Sequence, residues 1–482
     1  MATAVPTNEA AFTLAEVAAA TGGELRGDPG ARVVGVGTDT RALTPGALFV
    51  ALRGERFDGH DHLAAARDSG AAAALVEAGH RAVEGLPTVV VADTVRALGA
   101  LGAAHLARAR ARRPLPVIAI SGAVGKTTTK ELVAAALRAA YGDTLATFGN
   151  LNNLIGAPLT LLTLTDAHRA AVIECGSNAP GEIGRIAALV SPDVALVTNA
   201  DAAHTELLGS VDAVAREEGS LFAFARRAVV GNADEPRSAA QRDRALPDRA
   251  RWLFGASPGA HVAVVARAPR PDGGAALTLA VHPSLSPVGS LVVETPLVGA
   301  AVATNVAAAL CAVAALGATP AQLTAAAAAL ASVAAVPGRL QPLARRGALV
   351  LDDTYNASPR AVRAALDAAR ELAAARGTRL LVALGDMLEL GGLAREAHAE
   401  AARAVLDAGA AAFIAAGPET GAAAGALAAA AAAAGVEVVV VEDAAAAGVA
   451  LAARVREGDV VLVKGSRGMR MERCVAALGA GE

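Results

Sequence analysis

The residues best placed to do chemistry in this sequence lie at 121–128, read as Ser121-Gly122-Ala123-Val124-Gly125-Lys126-Thr127-Thr128. Small residues let backbone N–H groups approach an anion. The Lys126 ammonium supplies a point charge, and the Thr127 hydroxyl is a hard oxygen ligand for Mg²⁺. The spacing is G-x-x-G-K-T, shorter than the common phosphate loop, because Ile120 stands where the longer pattern has glycine. Two further polar residues, Glu174 and His204, follow short apolar runs at 170–173 and 194–197. The chain holds 43 basic residues, yet lysine occurs only at 126, 130 and 464. A phosphate-binding ammonium is not freely exchanged for the bulkier, planar guanidinium, so the surviving lysines mark positions where arginine would not serve.

Hydrophobic patterning defines the strands and helices on which these residues sit. Val117, Ile118 and Ile120 are β-branched and apolar, as in a buried parallel strand. Leu132, Val133 and Leu137 give the segment after the loop one apolar helical face. Strand, small-residue turn and helix together make a phosphate cradle. The runs 170–174, 194–199 and 228–234 each end in polar residues, where an open parallel sheet places its ligand groups. Residues 251–293 read as β-rich, and 300–316 as an Ala-rich helix containing Asn305.

The fold class is α/β in three domains. Residues 1–113 read as a small mixed α/β domain, 114–335 as a parallel-sheet domain built on the phosphate loop, and 336–482 as a doubly wound Rossmann-like domain with strands and helices in alternation. The Arg-rich segment 108–116, with two prolines, reads as the first linker. The nearly pure alanine stretch 421–435 reads as one plain helix.

Composition excludes several classes. A net charge of −3 gives no footprint for nucleic acid, and 2% aromatics leave few platforms for base stacking. No run is a clean apolar span of about 20 residues, and the first residues lack the pattern of a signal peptide. Cys175, Cys311 and Cys474 fit no metal or disulfide spacing. A cytoplasmic protein, without membrane insertion and monomeric, is the expectation.

Several separate stretches resemble one family. They are SGAVGKTTTKE at 121–131, GNLNNLIGAPLTLL at 149–162, VIECGSNAPGEI at 172–183 and VALVTNADAAHTELLGS at 194–210. In the last third they are PGRLQ at 337–341, LDDTYNASP at 351–359, GDMLELG at 385–391 and LVKGSRGMRME at 462–472. Near the start, DTR at 39–41 and GALFVALRGERFDGHDH at 46–62 match as well. In this order they resemble the Mur ligase family over nearly the whole chain, and within it the members that add D-alanyl-D-alanine to UDP-N-acetylmuramoyl-tripeptide.

The resemblance implies an ATP- and Mg²⁺-dependent ligase working through an acyl phosphate. It implies catalytic roles for Lys126, Glu174, His204 and Arg339, and phosphate contacts from the backbone of Gly122, Ala123, Val124, Gly125, Lys126, Thr127 and Thr128. Asn305 and Asp353 match positions that contact adenosine, and Arg339 one that reaches ATP when the last domain closes. Metal ligands are implied at Thr127, Glu174, His204 and Glu218. Contacts to the two substrates are implied at Thr40, Arg41, Asp58, Gly59, His60, Asn150, Asn152, Asn153, Asn356 and Lys464.

The chain departs from the family pattern in three places. Gly299-Ala300-Ala301-Val302 replaces Gly-x-His-Asn, Leu154 replaces a histidine, and Glu218 stands where the family commonly carries a carbamylated lysine. A carbamate needs a neutral amine, which neither glutamate nor the always-protonated arginine provides. Glu218 presents a carboxylate on a shorter stem; Glu217, one residue away, is the alternative that could point inward. Two other readings compete with the dipeptide ligase: a sister ligase with another amino substrate, and a nucleotide-binding homologue that no longer catalyses.

Overall fold

The computed structural model describes residues 5–54, 57–80, 82–177, 179–201 and 205–479. Three large sheets follow one another along the chain. The first has five strands in the spatial order Glu24–Arg26, Thr88–Val91, Ala73–Glu77, Leu48–Val50 and Val36–Gly37. All neighbours are parallel except the first pair. The helix Leu14–Thr21 begins at a capping box in which Thr13 and Glu16 satisfy each other's backbone N–H groups.

The helix Thr94–Arg112 then crosses to the second sheet, which corrects the linker expected at 108–116. Arg108, Arg110 and Arg112 are helical, and only the last four residues of that segment connect. The reason is packing: Leu98, Leu101, Leu106 and Ala109 are buried along one side of the helix. Arg110 reaches the second sheet, donating to the Ser191 carbonyl at 2.8 Å and to Asp193 at 3.0 Å. Leu159 and Leu162, from the helix Gly156–Leu162, enter the core of the first sheet and bind the two units together.

The second sheet has nine strands. Toward one edge lie Val194–Val197, Val117–Ser121 and Ala170–Glu174, side by side and parallel. Val117–Ser121 is buried along its full length, as its β-branched run requires. The helix Lys126–Tyr141 covers one face of the sheet together with Ala301–Ala315 and Pro320–Ala329. Glu182–Val190 covers the other. The last two strands, Ala275–Val281 and Ser290–Thr295, turn antiparallel and show the alternating burial of a half-exposed sheet.

The third sheet has the order Gln341–Arg345, Ala348–Asp353, Val460–Lys464, Leu380–Gly385, Ala412–Ala416 and Glu437–Val441. Only its first pair is antiparallel. Apolar clusters fill both of its faces, so it is doubly wound. The alanine stretch forms two helices, not one: Pro418–Ala426 and Ala428–Ala433, broken at Leu427. A run of alanine offers good propensity but little side-chain surface to bury, so it does not force continuity across the break. Among the described residues no helix is long and apolar enough to cross a membrane.

Candidate active site

The strand Val117–Ser121 lies between two neighbours whose carboxyl ends flank its own. Glu174 ends one neighbour, and Thr198-Asn199 follows the other. The loop after Ser121 is therefore threaded between a carboxylate and two polar side chains. Gly122 has φ +130°, and a Cβ there would sit 2.1 Å from Thr198 Oγ1, so only glycine fits.

The loop's first three amides are already committed. Gly122 N–H donates to Glu218 Oε2 at 2.7 Å, Ala123 N–H to the Asn199 carbonyl at 3.0 Å, and Val124 N–H to Asn199 Oδ1 at 3.0 Å. This corrects the expectation that the backbone of Gly122, Ala123 and Val124 holds phosphate. The donors left for an anion belong to Gly125, Lys126, Thr127 and Thr128, at the first turn of the helix Lys126–Tyr141, where N–H groups have no partner within the helix. The Lys126 ammonium rests on the carbonyls of Gly122 and Ala123, over the same turn.

Glu174 is buried and fixed by two donors to one oxygen: Thr127 Oγ1 at 3.2 Å and Asn152 Nδ2 at 2.9 Å. Its other oxygen, Oε2, is buried with no partner among the described residues. Leaving such an atom orphaned costs about 1–3 kcal/mol or more, a penalty that a bound cation removes. A hydroxyl and a carboxylate with a vacant oxygen form a hard donor set that suits Mg²⁺, which completes its shell with water and phosphate. No cluster of three His, Cys, Asp or Glu occurs among the described residues. His204 lies outside them. The Cys175 thiol is buried beside this charge, and burial first, then the carboxylates of Glu174 and Glu218, push its pKa up.

The two candidate second-metal glutamates part ways. Glu218 faces Gly122 behind the loop and does not line the cleft. Glu217 accepts from Gly181 N–H at 2.8 Å and Ile183 N–H at 3.0 Å, so it caps the helix Glu182–Val190.

A cleft of about 440 Å³ opens between the second and third sheets. It gathers Ala123 to Thr128, Glu174, Asn150, Asn152, Asn153 and Asn305 from one side. From the other come Arg339, Asp353, Asn356 and Lys464. Asn305 lies against Gly125, its Oδ1 3.0 Å from where a Cβ would stand. Asn153 instead accepts from Ile155 N–H at 3.1 Å and Gly156 N–H at 2.8 Å at the start of the next helix.

Strand register brings Asp353 directly beside Lys464 at the carboxyl ends of their strands. The two form an ion pair at 2.6 Å with side chains only 14% and 3% exposed. Lys464 also donates to the Asn356 carbonyl at 2.9 Å, and Asp353 accepts from Leu340 N–H at 3.1 Å. Asp353 is thus the anchor of Lys464 and of the turn that carries Arg339.

Thr40, Arg41, Asp58, Gly59 and His60 do not join this cleft; they lie on the first sheet's loops. The Arg41 side chain is exposed and paired with Asp39 at 2.6 Å, and the Thr40 carbonyl accepts from Ser69 Oγ at 3.2 Å. His60 Nε2 accepts from Glu77 N–H at 2.9 Å, so its proton sits on Nδ1, 2.5 Å from Asp58. The His60 backbone N–H first, and its ring second, hold the Asp58 carboxyl down at about 2. Gly59 has backbone of Leu52 within 2.8 Å of any added Cβ.

Sequence reasoning missed Asn199 and Tyr355. Asn199 braces the phosphate loop with both side-chain atoms, its Nδ2 donating to the Val124 carbonyl at 2.8 Å. The rule that ligand groups gather at strand ends could have found it. Tyr355, which lines the cleft, is one of only two tyrosines in the chain, a rarity that was itself a signal.

Three family models match along the chain. They are the Mur ligase family catalytic domain at 32–114, the Mur ligase middle domain at 120–313 and the Mur ligase glutamate ligase domain at 338–467. Among curated relatives, the UDP-N-acetylmuramoyl-tripeptide–D-alanyl-D-alanine ligase of Escherichia coli is 38% identical over 97% of this chain and 98% of its own length. The Bacillus subtilis enzyme of the same name is 31% identical over 92% and 93%. Among solved structures, a crystal structure of MurF from Acinetobacter baumannii matches with a TM-score of 0.84 at 29% identity, covering 98% of this chain and 99% of that one. MurF from Thermotoga maritima in complex with ADP matches at 0.77 and 26% identity, covering 92% and 96%. With matches of this extent in both sequence and fold, the chain belongs to the Mur ligase family.

Proposed function

We propose that this protein is an ATP-dependent ligase that joins D-alanyl-D-alanine to UDP-N-acetylmuramoyl-tripeptide, the amide-forming step that completes the pentapeptide precursor of peptidoglycan. The observation that carries this reading is the single cleft that sets a phosphate-loop helix and the buried Glu174 opposite Arg339 and Lys464. The full-length identity to ligases of that name supports the choice of substrates.

A carboxylate is a poor electrophile, because its leaving group would be oxide. Transfer of the γ-phosphoryl group to the tripeptide carboxylate gives ADP and an acyl phosphate. The dipeptide amine then attacks the acyl carbon, a tetrahedral intermediate forms, the amine loses a proton and phosphate leaves. The first step demands alignment and charge neutralisation more than covalent help. Lys126 and the amides of Gly125 to Thr128 hold the β- and γ-phosphates. Asn305 borders the adenosine end, with Arg339 facing the γ-phosphate and Asn150, Asn152 and Asn356 bordering the acyl substrate. Thr127 and Glu174 would hold magnesium, with His204 as a further ligand implied by the family pattern. The ion would supply neutralisation of the negative charge of the transferring phosphoryl group. Thr40, Arg41, Asp58, Gly59 and His60 form the uridine end, the second of their two loops held by the internal bonds of Asp58 and His60.

We place the domain boundaries at 113/114 and 335/336, the reaction in the cytoplasm, and the working form as a monomer. The test is phosphate release from ATP with both substrates, one or neither, read beside the mass of the product. Release that needs both, a product heavier by one dipeptide residue, and loss of turnover in Lys126→Ala with an unchanged melting temperature are the expected results. Release that persists without D-alanyl-D-alanine, or near-normal turnover in Lys126→Ala, overturns the reading.

A further inference from the structure

Arg339 is held in the cleft in an unusual way. Its side chain makes no hydrogen bond and no ion pair among the described residues, and its Nε is buried without a partner. What it does touch is the Tyr355 ring, with the guanidinium carbon 4.2 Å from the ring centroid. Arg467 approaches the same ring at 5.8 Å and has only a loose contact to Glu472, at 3.9 Å. Two guanidinium groups thus share one aromatic ring inside a cleft. Each is attracted to the negative π face, Arg339 at the shorter distance.

The backbone is built to keep the ring and Arg339 in register. Tyr355 N–H donates to the Gly338 carbonyl at 3.0 Å, and Leu340 N–H donates to Asp353 Oδ1 at 3.1 Å. Gly338 has φ +72° and Leu340 φ +49°, so the turn carrying Arg339 is bent through left-handed backbone on both sides of it. Clipped in this way onto 353–355, the turn aims a guanidinium with no acceptor of its own into the cleft that faces the phosphate loop.

We propose that Tyr355 is a positioning residue for the ligase reaction: its ring holds the Arg339 guanidinium ready for the γ-phosphate. This rests on the function proposed above, in that Arg339 faces the terminal phosphate of ATP. An arginine anchored by carboxylates would have to break ion pairs to bind phosphate. One anchored by a π face keeps its terminal N–H donors for the incoming anion. It also loses less rotamer freedom on binding, which leaves more of the contact energy for the transferring group.

The experiment compares calorimetric binding of AMP-PNP and of ADP, both with Mg²⁺, to the full chain and four variants. Only the first nucleotide carries a γ-phosphoryl group. Tyr355→Leu and Arg339→Ala should each lower the preference for AMP-PNP over ADP by roughly tenfold, as loss of a desolvated cation–π anchor implies. The double variant should fall no further than either single one. Tyr355→Phe, which keeps the ring, should bind as the parent chain does. In steady state Tyr355→Leu should lower kcat with the KM for D-alanyl-D-alanine unchanged, at an unchanged melting temperature. Tyr355→Ile takes its place if the leucine variant does not fold. The proposal is overturned if Tyr355→Leu keeps the parent preference, if the two losses multiply in the double variant, if Tyr355→Phe falls as far as Tyr355→Leu, or if the parent chain does not distinguish the two nucleotides. A parent chain that prefers AMP-PNP yet does not join the two substrates overturns the proposed reaction and leaves the role of Tyr355 to be decided by the binding results alone.

Discussion

Glu217 and Glu218 are adjacent carboxylates on one helix, and a single step between them separates two jobs. About 100° of rotation aims Glu217 at the start of the helix Glu182–Val190 and Glu218 at the phosphate loop. Glutamine at 217 keeps one acceptor but loses the charge that favours a helix N-terminus. Glu217→Gln should therefore lower stability by about 1–2 kcal/mol in urea titration, with the Mg²⁺ requirement of AMP-PNP binding unchanged. Glutamine at 218 can still accept from Gly122 N–H, so the loop persists but the negative charge behind it is gone. Glu218→Gln should raise the Mg²⁺ concentration needed for nucleotide binding severalfold and slow turnover, and adding or removing bicarbonate should not matter to the parent enzyme. Equal, small effects of the two substitutions, or a response to bicarbonate, would sink this division of roles. The three lysines make the same point about residue identity. Lys126 rests on loop carbonyls, Lys130 on Glu131 and the Thr147 carbonyl, and Lys464 on Asp353 and the Asn356 carbonyl. Each is a compact ammonium that donates to two acceptors at once, where a planar guanidinium fork would need a different geometry.

At the scale of elements, the helix Thr94–Arg112 matters most to how the site is held. Its Arg110 is largely buried and joins Asp193, which in turn accepts from Val117 N–H at 2.9 Å, at the foot of the phosphate-loop strand. Burial lowers the pKa of Arg110, with Asp193 opposing the shift. Truncating Arg110 leaves a buried carboxylate with only Arg226, at 3.5 Å, to compensate it. Arg110→Ala should cost about 2–3 kcal/mol, the scale for orphaning a buried charged group. Thermal melts check this, and a change under about 0.5 kcal/mol, the usual range for surface substitutions, would mean that the contact is merely superficial. The segment looked like a linker because its composition is Arg-rich and ends near prolines. Its helical phase is set by Leu98, Leu101 and Leu106, upstream of the arginines, and the acceptors that bury Arg110 lie about 80 residues away.

For the whole molecule, the question is what holds the third sheet over the second. Arg267, on a strand of the second sheet, meets Glu371, on the helix Pro359–Arg376, through two hydrogen bonds of 2.6 and 2.8 Å. Val298 is buried in the third sheet's core beside that helix. Ser358 Oγ adds a contact to Asp201 at 3.3 Å. The connecting segment near 333–338 ends in Pro337-Gly338, a point at which the chain can swing. Arg267→Ala should loosen the closed arrangement, seen in solution scattering as a larger radius of gyration without nucleotide that returns toward the parent value with AMP-PNP and the nucleotide-linked substrate. Identical scattering from variant and parent, with and without ligands, counts against a moving third domain.

Local chemistry made much of this protein legible in advance. A β-branched run, a small-residue turn and an amphipathic segment can make little other than a strand, a phosphate loop and a helix, because backbone sterics and one-sided burial admit few alternatives. Lys126, Thr127 and Glu174 were visible for that reason, as were the alternating strands and helices of the last third. The family motifs added the reaction. The sequence did not reveal which partners complete each residue, since those contacts join positions far apart in the chain. Glu218 meets Gly122 across 96 positions, Lys464 meets Asp353 across 111, and Arg267 meets Glu371 across 104. Strand order and register decide such meetings, and they are set by the packing of whole faces. For the same reason the amides of Gly122, Ala123 and Val124 looked available in the sequence and are engaged in the fold: their acceptors arrive on the neighbouring strand end and helix, and only the tertiary structure brings those to the loop.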